Sequence, residues 1–180
     1  SIYNQAIAAG ENFKYNDTTH VNDLEKLKQD ADNITLQVTQ ALGDNELTDL
    51  FSYGGYHRDQ SNDPDFTAPS VASAEQNEDF DEYSHELRIA SPQGQTLEYI
   101  GGLYYLNRNY SQDLDNDAFG FNPILAFSTT GYFNENSTSY AAFGQLTWNI
   151  ADDWRSSLGL RYSDESKNAT HWMFNRVYQS

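Results

Sequence analysis

The sequence predicts an all-β fold: six consecutive antiparallel strands, joined up and down, that form part of a transmembrane β-barrel. Three observations predict it. Apolar and polar residues alternate with period two in six separate runs. The connections between these runs are short and long in strict turn. The runs hold about ten to fifteen residues, which suits the ~9–11 of a tilted membrane strand better than the ~5–6 usual in soluble sheets. Six strands do not close by themselves, because the smallest such barrels have about eight.

The first run, 33–42, puts Ile34, Leu36 and Val38 on one face and Thr35, Gln37 and Thr39 on the other. The second, 46–58, carries Phe51 and Tyr53 on its expected apolar face, although Leu47 and Leu50 have opposite parity and leave its phase open. In the third, 79–90, Tyr83, Leu87 and Ile89 oppose Ser84, Glu86 and Arg88. The fourth, 96–110, aligns Leu97, Tyr99, Leu103 and Tyr105. The fifth, 139–150, aligns Tyr140, Ala142, Leu146, Trp148 and Ile150 against Gln145, Thr147 and Asn149. The sixth, 154–167, aligns Trp154, Leu158, Leu160 and Tyr162 against Arg155, Ser157, Arg161 and Ser163, and its upper end points on towards Trp172 and Phe174.

The connections 43–45, 91–95 and 151–153 are short and hold the Gly, Pro, Asn and Asp of hairpin turns. The stretches 59–78 and 111–138 are long and polar, and read as loops. Residues 1–32 read as a further extracellular, irregular segment, so the barrel portion is 33–180. All short turns then lie at one end of the sheet and all long loops at the other. Outer-membrane barrels have this asymmetry, with short periplasmic turns and longer extracellular loops, whereas two structureless loops of this length are uncommon in compact domains.

Composition narrows the function. With 10 Lys+Arg against 27 Asp+Glu and a net charge of −17, the chain lacks the basic face that nucleic acid requires or that anionic lipid attracts. It has no Cys, which excludes thiolate metal sites, disulfides and Cys nucleophiles. No stretch approaches the ~20 apolar residues of a membrane helix. Ser1–Gly10 lacks the basic start and apolar core of a signal peptide, which is therefore expected to be absent or already removed. Aromatic residues make up 14% of the chain, 13 of them Tyr, and Trp148, Trp154 and Tyr99 sit beside short turns, where an interfacial girdle would lie.

Ser84-His85-Glu86-Leu87-Arg88-Ile89-Ala90-Ser91-Pro92, with Leu97-Glu98-Tyr99-Ile100-Gly101-Gly102-Leu103-Tyr104-Tyr105 after it, resembles a recurring barrel segment of TonB-dependent outer-membrane receptors. Ser139-Tyr140-Ala141-Ala142-Phe143-Gly144-Gln145 and Ser157-Leu158-Gly159-Leu160-Arg161-Tyr162 resemble the strands that follow it in that family. These segments occur in family order across 34–167. The resemblance implies a bacterial outer-membrane barrel of about 22 strands, a lumen filled by a plug domain, and active uptake driven by the periplasm-spanning TonB energy-coupling protein. It implies a scarce nutrient as cargo: an iron–siderophore complex, haem, cobalamin or an oligosaccharide. Lipid and lipopolysaccharide are the implied surroundings. No plug, coupling segment or closing strand is recognisable, so the chain is expected to be a piece of a longer receptor. The alternatives are another outer-membrane barrel of the porin or autotransporter kind, and a soluble secreted carbohydrate-binding β domain.

Catalysis is not expected, since no Ser-His-Asp arrangement, phosphate-cradling loop or poised carboxylate pair stands out. Tyr110, Phe119, Phe121, Tyr132 and Phe133 are candidates to contact cargo from the loops. Parity turns Glu86, Arg88, Arg155 and Arg161 into the lumen, where the resemblance implies that they face the plug. Asp113, Asp115 and Asp117 offer alternating oxygen ligands for a hard cation such as Ca²⁺, and Asp59, Asp63 and Asp65 suggest the same. Ala118 stands where an EF-hand loop needs Gly, so a solvated acidic loop is the simpler reading. His20, His57, His85 and His171 show no zinc-binding spacing, and the parity of His85 puts it on the lipid face.

Overall fold

The computed structural model describes residues 25–65, 71–118, 126–151 and 153–177. They form one antiparallel sheet in sequence order: β1 (Lys26–Leu42), β2 (Asn45–Asn62), β3 (Ala72–Ala90), β4 (Leu97–Ala118), β5 (Phe127–Ala151) and β6 (Trp154–Val177). The sheet is open, with β1 and β6 at its edges.

Residues directly opposite in an antiparallel pair share a face, so the register fixes both faces across the sheet. Leu36 lies opposite Phe51, Phe51 opposite His85, His85 opposite Tyr105, Tyr105 opposite Tyr140 and Ala142 opposite Tyr162. This is the apolar face, and it bears the exposed side chains Leu36, Val38, Leu87, Leu103, Leu146, Leu158 and Leu160. The register also settles the phase of β2: Leu47, Phe51 and Tyr53 share the apolar face, while Leu50, opposite Glu86, falls on the polar one. The buried strand residues Thr48, Glu78, Gly131, Ser137, Ala141 and Thr147 all project from the polar face. Side chains crowd on the inside of a curved sheet, so the polar face is the concave one.

Two aromatic levels cross the apolar face. Tyr53, Tyr83, Tyr105, Tyr140 and Tyr162 form the upper one. The hydroxyls of Tyr83 and Tyr105 are 3.0 Å apart, and the Tyr105 and Tyr140 rings are 4.9 Å apart. The lower level comprises Tyr99, Trp148 and Trp154, with the Tyr99 hydroxyl donating to Asn45 Oδ1 at 2.9 Å. From Tyr140 to Trp148 is about 27 Å of extended chain. A tilt of about 40° reduces it to about 20 Å, and the rings at either end bring it to the ~25 Å apolar band of an outer-membrane barrel.

Two short turns close as the sequence suggests. Gly43–Asp44 forms a two-residue hairpin loop with φ +64° at Gly43, the positive φ that primed turns demand. Gly94, at φ +79°, helps Ser91–Thr96 reverse, and Ser91 N donates to Tyr99 O at 2.9 Å.

The long polar stretches behave differently. Strand structure continues through 59–62 and 72–78 of the first stretch, and through 111–118 and 127–138 of the second. The strand β1 likewise begins at Lys26, inside the segment expected to be irregular. The strand β5 has 25 residues, about 80 Å of chain, and therefore rises far above the Tyr level. There both faces meet water, the hydropathy alternation disappears, and the sequence of a strand looks like that of a loop.

Candidate functional site

Charge separates between the two faces. Every Asp within a strand lies on the apolar face or its continuation above the Tyr level: Asp30, Asp32, Asp49, Asp59, Asp79, Asp81, Asp113, Asp115, Asp117 and Asp164. Arg58, Arg88, Arg108, Arg155 and Arg161 all lie on the polar face, together with Glu78, Glu82, Glu86 and Glu98. The concave wall thus carries the Arg–Glu pairs and the outer wall mostly acid, with Lys26, Lys28 and Arg176 as the Lys and Arg residues among its described strand positions.

At membrane level the four sequence-predicted lumenal residues occupy the polar face. Arg155 Nη2 donates to Glu98 Oε2 at 3.0 Å. Glu98 also accepts from Asn149 Nδ2 at 3.0 Å and from Gly94 N at 2.8 Å, which ties the second turn to the third. Arg88 reaches Glu86 at 3.4 Å. Arg161 lies over Tyr104 and Phe143, 5.4 and 5.9 Å from their centroids, within cation–π range, and its Nε donates to Ser163 Oγ at 3.1 Å.

Above the Tyr level the same face gathers four rings and two Arg–Glu pairs. Tyr56 stacks on Phe80 at 5.3 Å, and Tyr110 and Phe133 are 6.0 Å apart. Arg58 lies 6.0 Å from the Tyr56 centroid and Arg108 5.8 Å from that of Phe80. Arg108 donates twice to Glu82 Oε2, at 2.9 and 2.7 Å. Glu78, only 3% exposed, accepts from Arg58 and Gln76 and from Tyr56 at 3.4 Å. Burial alone would raise the Glu78 pKa, but these hydrogen bonds, with the charge of Arg58, hold it below the usual carboxylate value. Burial first, and then the Glu78 charge, raise the pKa of Tyr56 and Tyr110. Both tyrosines are neutral donors at physiological pH. The result is a wall that offers guanidinium edges, aromatic faces and phenol hydroxyls to the concave side, which suits a planar, conjugated or anionic ligand.

Of the residues predicted to contact cargo from loops, Tyr110 and Phe133 belong to this wall, but on strands β4 and β5. Tyr132, one residue from Phe133, points to the opposite face and stacks on Trp172 at 5.9 Å. Phe119 and Phe121 lie outside the described residues, as does His20. Sequence reasoning missed Tyr56, Arg58, Glu78, Phe80 and Arg108. Extending the parity of β2, β3 and β4 beyond their apolar portions would have found them.

The acidic residues weighed as cation ligands are placed differently from expectation. Asp113, Asp115 and Asp117 are exposed alternate residues of β4, about 7 Å apart along the strand, and do not wrap a common point. Asp65 Oδ2 accepts from Ala72 N at 2.6 Å and Asp63 Oδ1 from Asp65 N at 3.3 Å, so both help to organise the β2–β3 connection. Among the described residues no group of three His, Cys, Asp or Glu is arranged to hold a metal ion. Two histidines pair with carboxylates on the outer side. His85 bonds Asp49 at 2.5 Å within the apolar band, and His57 lies between Asp79 at 2.7 Å and Asp59 at 3.0 Å above it. The Asp79 hydrogen bond, with help from Asp59, raises the His57 pKa above 6.5.

Comparison with known proteins agrees with this geometry. No curated protein matches the sequence. The crystal structure of the ferric yersiniabactin uptake receptor FyuA from Yersinia pestis superposes with a TM-score of 0.62 at 19% identity, over 84% of this chain and 25% of that one. At that identity the likeness is one of fold, and the chain spans a quarter of the FyuA length. The family model described as "TonB dependent receptor-like, beta-barrel" matches residues 2–177. With this family model running through all six strands, and a sheet of one apolar and one polar face to go with it, the chain belongs to the TonB-dependent receptors, as part of their β-barrel.

Proposed function

We propose that this chain forms part of the wall of a bacterial outer-membrane receptor that takes up a scarce, iron-chelating small molecule. In this reading the apolar face meets hydrocarbon between the two aromatic levels, and the concave face encloses the lumen. Cargo passes the Arg58–Arg108 wall above the Tyr level. A plug elsewhere in the receptor, moved by TonB from the periplasm, releases it inward. The chain supplies binding and six strands of the hydrogen-bond ladder that the whole barrel closes, and its family is one of receptors rather than enzymes.

The observation that carries the reading is the placement of Tyr56, Phe80, Tyr110 and Phe133 with Arg58 and Arg108 on the concave side only. Two guanidiniums beside ring faces match a conjugated anionic chelate better than a neutral sugar. That FyuA is a ferric yersiniabactin uptake receptor supports the same class of cargo.

The test uses the full-length receptor in its host. Replacing Arg58 and Arg108 together with Ala is expected to weaken cargo binding at least tenfold and to abolish growth on the ferric chelate as sole iron source, with the protein still in the outer-membrane fraction. Unchanged uptake by that variant would refute the assignment of the wall. Recovery of the wild-type protein outside the outer membrane would refute the receptor reading itself.

A further inference from the structure

Two ionisable side chains break the apolar face where hydrocarbon should meet it. Between the aromatic levels, the outer side of the described strands holds no Lys, Arg or Glu, and Asp49 and His85 are its one Asp and its one His. Asp49 lies four residues below Tyr53 on β2, and His85 two below Tyr83 on β3. At a tilt of about 40° these positions are about 10 and about 5 Å beneath the upper level. Both strands are interior ones, paired on either side. His85 Nε2 and Asp49 Oδ1 are 2.5 Å apart, and each side chain is half exposed. Among the described residues, His85 Nδ1 and Asp49 Oδ2 have no partner.

Lipid is a poor cover for this pair. Ionisable groups turned towards hydrocarbon are costly, and those that persist generally face protein. Long Lys and Arg side chains can snorkel to the interface, but Asp and His are too short to do so.

The surface around the pair fits its own image. A furrow of about 500 Å³ opens on the outer face from His85 to Tyr162, between Leu103 and Tyr140 and over the small side chain of Ala142. On the other side of His85 stands Phe51, directly opposite it on β2 and 40% exposed. Phe51 is two residues below Tyr53, and Ala142 two below Tyr140, so ridge and furrow lie at one height. Two copies in one membrane share their orientation, so a two-fold axis between them runs along the membrane normal and preserves height. An axis beside His85 brings Phe51 of each copy to the furrow of the other, and each Asp49–His85 pair to its counterpart.

We propose that a second copy of the receptor docks on this face, in an isologous contact where His85 of each copy bonds Asp49 of the other. The inference rests on the outer-membrane reading above. In hydrocarbon, apolar packing alone favours no partner over lipid, and hydrogen bonds between chains supply the preference. The pair offers both donor and acceptor atoms, so it complements its own copy, whereas an acyl chain offers it neither.

The test uses the full-length receptor in its own outer membrane. Copies bearing Phe51→Cys and differently tagged copies bearing Ala142→Cys are expected to form a disulfide-linked dimer on mild oxidation, and Leu158→Cys in place of Ala142→Cys to form none. In lipid vesicles, energy transfer between labelled copies should report the dimer. Asp49→Leu together with His85→Leu should weaken it about tenfold. That double variant suits lipid, so it should stay in the outer-membrane fraction and keep cargo uptake. An outer-membrane protein that gives no cross-link between copies overturns this inference alone. So does a dimer that the double variant leaves equally tight, or a Phe51→Cys link to a different protein. A wild-type protein outside the outer membrane overturns both this inference and the receptor reading.

Discussion

The lower and upper parts of β4 are one continuous strand under two different selections. Between the aromatic levels, Leu97, Tyr99, Leu103 and Tyr105 face one way and Glu98, Gly102 and Tyr104 the other. Above them, Asp113, Asp115 and Asp117 continue the first row, and Gln112, Leu114 and Asn116 the second. The backbone ladder does not change. What changes is the medium on the outer side, from hydrocarbon to water. Period-two hydropathy is therefore a signature of the solvent facing a strand, and the strand itself persists where the signature ends. The two parts also hold together differently: the lower by burial in lipid and tight polar-face packing, the upper by paired side chains.

The largest expected effect separates the two parts of one face. Leu103→Arg should destabilise the full-length barrel by about 2–4 kcal/mol, as a charge facing the bilayer midplane does. Asp113→Arg on the same strand should stay within about 0.5 kcal/mol. Equilibrium unfolding in lipid vesicles measures both, and equal costs would break the comparison.

A second contrast tests the upper part. Glu78→Gln removes the buried partner of Arg58 and should cost about 1–3 kcal/mol, while Glu82→Gln, at a more exposed pair, should cost less than about 1 kcal/mol. If Glu78→Gln is neutral, the upper wall does not depend on its polar pairing.

The next contrast lies within the band. A Cβ at Gly102 would sit 2.6 Å from Phe143 Cζ and 2.8 Å from Leu87 O, whereas one at Gly101 meets only Phe143 O at 3.6 Å. Phe143 covers Gly102 from the directly opposite position, so Gly102→Ala should cost about 1–3 kcal/mol and Gly101→Ala almost nothing. A crystal structure of Gly102→Ala with the Phe143 ring unmoved would contradict that packing.

The smallest effect depends on pH. Because Asp79 and Asp59 raise the His57 pKa in the folded protein, His57 stabilises it fully below the unfolded value of 6.5. That contribution is lost as pH rises through the elevated folded value. Asp30, opposite His57 on β1 and paired with Lys28, shares the same surface. The unfolding midpoints of wild type and His57→Gln should differ in acid and converge in alkali, and a difference independent of pH would sink this assignment.

The sequence was most legible where the two media differ most. The parity of Leu87, Leu103, Leu146 and Leu160 places each on the apolar face, and that of Glu86, Arg88, Arg155 and Arg161 places each on the polar one. Gly43 and Gly94 mark turns because left-handed φ is costly for other residues. Legibility ended above Tyr53, Tyr83 and Tyr105. Runs such as Asn107–Asp117 and Asn134–Thr138 are rich in Asn, Asp, Ser and Thr, and with water on both sides apolar and polar residues no longer alternate along them. The site suffered most, since Tyr56, Arg58, Glu78, Phe80 and Arg108 all lie in or beside that region.

From the chain alone follow the class of fold, the direction of each strand, and the side of the sheet that meets hydrocarbon, because transfer from water to lipid acts on every residue individually. Only the tertiary structure decided that Leu50 turns inward while Leu47 turns outward, that Arg58 meets Glu78, and that Tyr132 and Phe133 serve opposite walls. Those outcomes depend on register between strands, which hydrogen bonding across the sheet sets and which no single strand encodes.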